Sequence, residues 1–233
     1  MAKSSSFPSV TRTPFAASKK VYVASKKHDD VRVPFREIEL HPTAKEPAVR
    51  VYDTSGPYTD PVLPIDINQG LPRWREAWLR ERGDTALYTP RAVTAADNGF
   101  ATDDRLVEPF PVKNAPRRAT GDGAVTQLAY ARKGIVTKEM EYIAIRENMG
   151  RDRKLSEMRF KGEAFGANIP DYITPEFVRD EVARGRAIIP CNVNHSEVRN
   201  MSISREGPAM IIEQNGNSLL VRLVVLLPFQ LLR

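Results

Sequence analysis

The feature that most constrains the fold is a helix that passes directly into a short apolar strand. Thr174 can cap the N-terminus of this helix, Pro175 suits its first position, and Gly185 can end it. The apolar run Ala187–Ile189 follows after a short connection and is typical of a buried strand. Because a helix followed at once by a buried strand is the pattern of an α/β repeat, the sequence predicts an α/β fold.

Polar side chains follow the C-terminal end of this predicted strand. They are Asn192, Asn194 and His195. Residues at this end of a strand line the active site of a (β/α)8 barrel, which predicts a position on the rim of such a site. The alternative is that the three side chains cap and turn the chain, and the residues alone leave both interpretations open.

The single cysteine, Cys191, lies between this strand and the polar group. A small thiol packs well in a half-buried position, so we expect a structural role rather than a catalytic one. One cysteine excludes a disulfide within the chain and a cysteine-rich metal site. Since reduced thiols are typical of the cytosol, the cysteine content predicts a cytoplasmic location.

Three short strands are predicted towards the N-terminus. Residues of strand type occur at Lys20–Val23, at Val31–Val33 and from Val49 onwards, with a polar turn, Ser25–Asp30, between the first two. The third strand runs into the loop Asp53–Asp60, which is rich in hydroxyl and carboxylate side chains. Such groups destabilise a loop unless they are solvated or paired, so we expect this loop at a domain interface or on the active-site side. The alternative is a capped surface turn.

Two further helices are predicted before Thr174. The first spans Pro72–Arg82, and its predicted buried face consists of Trp74, Ala77 and Trp78. The second begins after Thr137, which can cap it. Its predicted buried stripe consists of Met140, Ile143 and Ala144.

The segments around these helices are predicted to be irregular. Residues 84–124 are coil-rich, and Gly121-Asp122-Gly123 within them predicts a plain turn rather than a phosphate-binding loop. Residues 151–168 are charged and predict a linker or a mobile insertion. Residues 1–19 carry basic side chains and no acid, which predicts a disordered basic leader, with a targeting segment as the alternative. The apolar run at 219–232 is shorter than the roughly 20 residues of a membrane span, so we expect no membrane partner.

Six runs of the chain resemble the phosphomethylpyrimidine synthase family of thiamine biosynthesis, in chain order over about residues 20–205. They are KVYV at 20–23, VRVPFREIEL at 31–40, VRVYDTSGPYTDP at 49–61, GLPRWREAWLRERGD at 70–84, VTQLAYARKGIVTKEMEYIAIREN at 125–148 and ITPEFVRDEVARGRAIIPCNVNH at 173–195. Several of these runs exceed ten residues, which makes the resemblance specific.

The resemblance implies a radical carbon–carbon lyase. Members of this family use S-adenosylmethionine and a 4Fe-4S cluster to convert aminoimidazole ribotide into hydroxymethylpyrimidine phosphate. They bind a zinc or similar ion through barrel histidines and act as homodimers. Their fold has an N-terminal α/β domain, a (β/α)8 barrel and a C-terminal segment with the cluster cysteines. The partner is then a small-molecule substrate, and we expect neither nucleic acid nor a membrane.

The resemblance also implies an organisation for this chain. We expect a leader at 1–19, a mixed α+β N-terminal domain at 20–170, the first elements of an incomplete barrel at 171–205 and an atypical apolar tail at 206–233. The family's Asn-Ile-Gly-Asn-Ser substrate motif has only a partial counterpart here, in which Asn215 is the candidate substrate-binding residue. We identify no catalytic residue and no ligand for the cluster or for zinc. We therefore expect a truncated chain that is inactive alone.

Two alternatives belong to other functional classes. The first is a non-catalytic N-terminal or dimerisation fragment. The second is a basic nucleic-acid-binding module, suggested by a net charge of +6 and by arginine-rich regions at 113–118 and 146–161. The second alternative is weak because the positive charges are interleaved with acids and no recognition motif is found.

Overall fold

The computed structural model describes residues 17–60, 62–63, 66, 68–89, 91–92, 94–100, 114–149, 170, 172–197 and 203–204. Over these residues the protein combines antiparallel strands with helices, so the prediction of a mixed α/β fold is confirmed. In chain order the strands and α-helices are β1 (Ser18–Ala24), β2 (Arg32–Ile38), β3 (Val49–Tyr52), α1 (Glu76–Arg82), β4 (Thr85–Leu87), β5 (Arg117–Ala119), α2 (Gln127–Arg132), α3 (Lys138–Asn148), α4 (Pro175–Ala183), β6 (Ala187–Ile188) and β7 (Ile203–Ser204).

The described residues group into two compact units. Unit 1 comprises those between 17 and 63, those between 127 and 191, and residues 203–204. Unit 2 comprises those between 66 and 126 together with residues 192–197. Unit 1 therefore draws residues from both sides of the predicted boundary between 170 and 171. That boundary and the start of a barrel stay predictions.

A three-stranded antiparallel sheet in the order β1-β2-β3 forms one part of unit 1. The predicted strands occur where expected, but β2 continues through Pro34, whereas we predicted its end at Val33. The carbonyl of Pro34 accepts the N–H of Asp53 at 3.1 Å. In an antiparallel strand the nitrogen and the carbonyl of one residue point to the same side, so the nitrogen of Pro34 also faces β3. Because β3 ends at Tyr52, Pro34 lies at the end of the β2–β3 pairing, where its missing N–H breaks no hydrogen bond between the two strands. The predicted end of β2 was wrong for this reason.

The helices of unit 1 begin and end as local sequence signals predict. Thr137 accepts a hydrogen bond from the N–H of Met140 at 3.4 Å, and Thr174 accepts one from the N–H of Phe177 at 3.1 Å. Gly185 follows α4 with a positive φ of 72°, the left-handed conformation that glycine adopts without strain. The caps of α3 and α4 are therefore confirmed, whereas α2 was not predicted.

An apolar core joins α2, α3, α4 and β6 within unit 1. Its buried members are Ala131, Met140, Ile143, Ala144, Ile173, Val178, Val182, Ala187 and Ile189. The predicted stripe of α3 is thus buried as expected. The strand at Ala187 is one residue shorter than predicted and pairs antiparallel with β7.

Unit 2 differs from its prediction in two respects. Helix α1 begins at Glu76 rather than at Pro72, because the N–H of Arg75 bonds to the carbonyl of Ser196 at 3.0 Å instead of entering the helix. Ala77, which was predicted on the buried face, is exposed. The buried residues are Trp78 and Leu79 of α1 and Arg75, which directly precedes it. The second difference is the antiparallel pair β4–β5, which lies within the region predicted as coil.

The remaining predictions concern the irregular segments and the two ends of the chain. The Gly121–Gly123 segment lies in a bend outside any helix or strand, as predicted. Strand β1 already begins at Ser18, and residues 1–16 of the predicted leader lie outside the described residues. The predicted insertion at 151–168 and the predicted tail at 206–233 also lie outside them. No helix in the described ranges is long and apolar enough to cross a bilayer.

Candidate functional site

The loop Asp53–Asp60 is attached to the sheet by a buried ion-pair network. One oxygen of Asp53 accepts a hydrogen bond from Arg36 Nη2 at 2.9 Å and lies 3.6 Å from Lys20 Nζ. Its other oxygen accepts the N–H of Ser55 at 2.8 Å. The side chains of Lys20 and Asp53 are each 1% exposed. Buried charges are stable only when they are paired and their remaining hydrogen-bonding groups are satisfied, and this network meets both conditions.

The two cations of this network also hold the rest of the loop. Arg36 Nη2 donates to the hydroxyl of Thr59 at 2.8 Å, and Lys20 Nζ donates to the carbonyl of Gly56. The turn from Gly56 to Thr59 is a 3-10 helix in which Gly56 has a positive φ of 64°. Glycine adopts this conformation at no steric cost, which explains its position at the start of the turn.

Asp60 closes the loop on its other side. Its carboxylate accepts a hydrogen bond from the hydroxyl of Tyr22 and further bonds from the N–H groups of Val62 at 3.0 Å and Leu63 at 3.3 Å. The loop is thereby fixed to β1 by Asp60 and to both β1 and β2 by Asp53.

Both carboxylates remain charged in the folded protein. Burial disfavours the charged form of Asp53, but hydrogen bonds from Ser55 and the charges of Lys20 and Arg36 outweigh it and hold its pKa below the usual value. Burial likewise opposes ionisation of Asp60, and hydrogen bonds from Tyr22, Val62 and Leu63 outweigh it, so its pKa is also lowered.

The arrangement of this loop is that of a scaffold. The side chains of Asp53, Ser55, Thr59 and Asp60 bind groups of the same sheet and loop, and three of them, Asp53, Thr59 and Asp60, are buried. Tyr58, which is 46% exposed, and Thr54 are the exposed residues of the loop. The capped-turn alternative accounts for these contacts, and a position at a domain interface or beside an active site stays a prediction.

Helix α3 reaches the turn between β1 and β2 through a second polar cluster. Glu141 accepts a hydrogen bond from the hydroxyl of Ser25, and its other oxygen lies 2.6 Å from His28 Nδ1. Lys138 of the same helix pairs with Asp30 at 2.8 Å. Sequence reasoning predicted the Thr137 cap and the buried stripe of α3, but not these polar contacts. Because Ser25 and Glu141 are 116 residues apart in the sequence, no local signal could have shown their contact.

The Cys191 thiol lies in a polar pocket at the edge of the apolar core. It is 3.8 Å from Gln127 Nε2 and 3.9 Å from an oxygen of Glu139, a residue with no exposed surface. Gln127 in turn accepts a hydrogen bond from Thr137 at 2.7 Å. The thiol is half-buried and packs against the core, as predicted for a structural cysteine. The burial of Glu139 was not foreseen.

The polar residues after β6 turn the chain within unit 2. Asn192 accepts the N–H of Asn194 at 2.8 Å, and Asn194 accepts the N–H of Arg117 at 2.6 Å. His195 is exposed and lies 2.9 Å from Glu197. These contacts are those of turn-forming and capping side chains, while a role on an active-site rim stays a prediction. Asn215, the candidate substrate-binding residue, lies outside the described residues.

Neither the described geometry nor the cysteine content fits the cofactors that the resemblance implies. No group of three or more potential metal ligands occurs among the described residues. The histidines contact near side chains instead, His28 with Glu141, His41 with Thr43 and His195 with Glu197. The sequence contains one cysteine, whereas a 4Fe-4S cluster takes three or four from a protein. The residues present therefore cannot hold such a cluster by themselves.

Two family models match the chain. Residues 14–86 match the ThiC-associated domain, and residues 126–220 match the Radical SAM ThiC family. Together the matches span most of the chain. The two matched segments also meet within unit 1, where the hydroxyls of Tyr52 and Tyr142 lie 2.8 Å apart and the Arg146 guanidinium lies 4.4 Å from the centre of the Tyr52 ring.

Proposed function

The chain belongs to the Radical SAM ThiC family, and we propose that its 233 residues are the supporting N-terminal part of a phosphomethylpyrimidine synthase. The family acts in thiamine biosynthesis through radical S-adenosylmethionine chemistry on a small molecule. The proposed reaction of the whole enzyme is the conversion of aminoimidazole ribotide into hydroxymethylpyrimidine phosphate. The proposed role of these residues is to form a rigid scaffold.

The observation that carries this proposal is the internal pairing of the charged and polar side chains. Asp53 pairs with two buried cations of the sheet, and Glu141 binds Ser25 and His28 of the turn between β1 and β2. Side chains that pair with each other in this way hold strands, loop and helix in place, because breaking one pair leaves an uncompensated buried charge. A catalytic group, by contrast, must reach a substrate atom.

The cysteine content gives the proposal its chemical limit. A 4Fe-4S cluster supplies the electron that cleaves S-adenosylmethionine, and its thiolates must come from outside these 233 residues. The only thiol present, Cys191, lies beside Gln127 and Glu139 at the edge of the core. We propose that zinc, too, binds outside the described residues. The proposed enzyme is a cytoplasmic homodimer. Within this chain, Asn215 is the residue proposed to contact the substrate.

An activity assay tests the proposed role. The 233-residue chain is incubated without oxygen with iron, sulfide, aminoimidazole ribotide, S-adenosylmethionine and a reductant, and an active family member serves as the positive control. We expect no hydroxymethylpyrimidine phosphate from the chain alone. Formation of that product in repeated turnovers would show that these residues are catalytic, and the scaffold proposal would then be wrong.

The nucleic-acid alternative gains no particular support from the described charges. Lys19 and Arg50 both pair with Glu37, at 2.9 and 2.8 Å, and Lys138 pairs with Asp30. Binding driven by phosphates weakens steeply as salt increases. A salt titration with random-sequence DNA would therefore reveal such a function, and we expect no binding above background at low salt.

A further inference from the structure

Few apolar side chains are buried in the part of unit 2 that the structure describes. Among its described residues, the buried apolar side chains are Trp78 and Leu79. Its buried polar and charged residues are Arg75, Thr85, Arg117 and Ser196. Polar contacts are therefore a large share of the interactions that the described residues of unit 2 make, since apolar burial, ordinarily the dominant favourable contribution to folding, is limited among them.

Arg75 is the most deeply buried of these charged residues, with 1% of its surface exposed. Its Nη2 donates to the carbonyls of Asn192 at 3.0 Å and His195 at 2.6 Å. Its own N–H donates to the carbonyl of Ser196 at 3.0 Å. Three hydrogen bonds therefore connect one residue to a short segment, Asn192–Glu197, which we call the strap.

A second set of contacts joins the strap to α1 and β5. Asn194 accepts the N–H of Arg117 at 2.6 Å, and the hydroxyl of Ser196 donates to Glu76 at 3.4 Å. The same Glu76 pairs with the guanidinium of Arg117 at 2.8 Å. Burial disfavours the charged form of Glu76, but Arg117 and its neighbours outweigh it and lower its pKa. The strap thus binds both elements that the Glu76–Arg117 pair connects.

We propose that the strap is an obligatory part of unit 2, so that β4 and β5 keep their native pairing only while the strap is bound to Arg75 and Arg117. Loss of the strap would deprive the Arg75 guanidinium of the two carbonyls that Nη2 now binds. A buried charged donor that loses its partners carries a large desolvation penalty.

This dependence sets an order of folding. Arg75 and His195 are 120 residues apart in the sequence. The pairing of β4 with β5 therefore becomes stable only after the chain has been synthesised through the strap. The inference concerns unit 2 alone and holds whatever chemistry the family performs.

Hydrogen exchange on the full chain tests the inference, with the variant Arg75→Met. Methionine is unbranched and apolar, so it removes the donors without a large change in volume. We expect amide exchange to accelerate by about tenfold or more, the effect of losing hydrogen bonds to a charged group, in three segments together. They are the strap, residues 85–88 and residues 117–120. Exchange in β2 should not change.

The matched control is Arg91→Met, at a side chain of unit 2 that is 69% exposed and pairs with Asp97. It should leave exchange in the three segments unchanged. If Arg75→Met accelerates exchange in the strap alone, or in no segment, the inference is wrong. If Arg75→Met also destabilises unit 1, the same exchange measurement is made on the milder variant Asn194→Ala, and its result decides between the two outcomes. Joint acceleration in the strap and in β4–β5 supports the inference, and acceleration confined to the strap overturns it.

Discussion

At the scale of single residues, buried charges explain how this protein holds its loops. Lys20, Arg36 and Asp53 come from three separate parts of the chain, and both cations pair with the one carboxylate. The sequence allowed the prediction that the polar groups of this loop are either solvated or paired, because groups that are neither would destabilise it. It did not show their partners, since Lys20 and Gly56 are 36 residues apart and only the register of the sheet brings them together.

The first prediction concerns the central carboxylate of this network. Asp53→Asn leaves Lys20 and Arg36 buried without their counter-charge, so we expect the free energy of unfolding to fall by about 3 kcal/mol. Chemical denaturation followed by circular dichroism measures it. Asp30→Asn is the matched control, because it breaks an ion pair whose carboxylate is 45% exposed and should cost less than about 1 kcal/mol. Equal losses for the two variants would contradict the scaffold role of Asp53.

The second prediction is the pH dependence of the same site. The pKa of Asp53 and that of Asp60 lie below the usual 3.8 in the folded protein, so the unfolded chain binds protons more readily. Their stabilising contribution is therefore complete above about pH 4 and is lost as the pH falls through the lowered values. Denaturation midpoints of the wild type and Asp53→Asn should converge below pH 3.8. A difference that stays constant down to pH 2.5 (about one unit below the usual value) would refute this account.

At the scale of elements, those with local signals were predictable and those without them were not. The caps of α3 and α4 act over three residues, so Thr137 and Thr174 were recognisable from the sequence. Strands β4 and β5 contain three residues each, and Arg117–Ala119 has no apolar alternation, so nothing local distinguishes it from coil. Helix α1 was predicted too long because its first turn is replaced by a contact with Ser196, 121 positions further on.

The third prediction compares the two helix caps. Thr174→Ala removes only the bond to the N–H of Phe177 and should cost about 1 kcal/mol. Thr137→Ala also removes the donor to the buried Gln127, so its cost should be about 2 kcal/mol. Denaturation of the two variants under identical conditions measures the difference. Equal destabilisation would mean that the Thr137–Gln127 bond contributes nothing to stability.

At the scale of the whole molecule, each unit combines segments that are far apart in the sequence, and the order of the predicted elements does not show this. Unit 1 joins the sheet near the N-terminus to helices that begin at Gln127, and unit 2 incorporates the strap. The family was nevertheless predictable, because runs such as 49–61 and 173–195 are long enough to be specific. The role of each polar side chain was not, since pairing partners such as Ser25 and Glu141 become neighbours only after folding.

The central claim is that these residues support a radical enzyme without holding its cluster. Its most direct test is to reconstitute the purified chain with iron and sulfide without oxygen and to measure both per chain after desalting. We expect far less than one cluster per chain, and the same residual iron in Cys191→Ala, because a single thiolate cannot retain four irons. One cluster per chain, with the matching absorbance band and its loss in Cys191→Ala, would contradict the account.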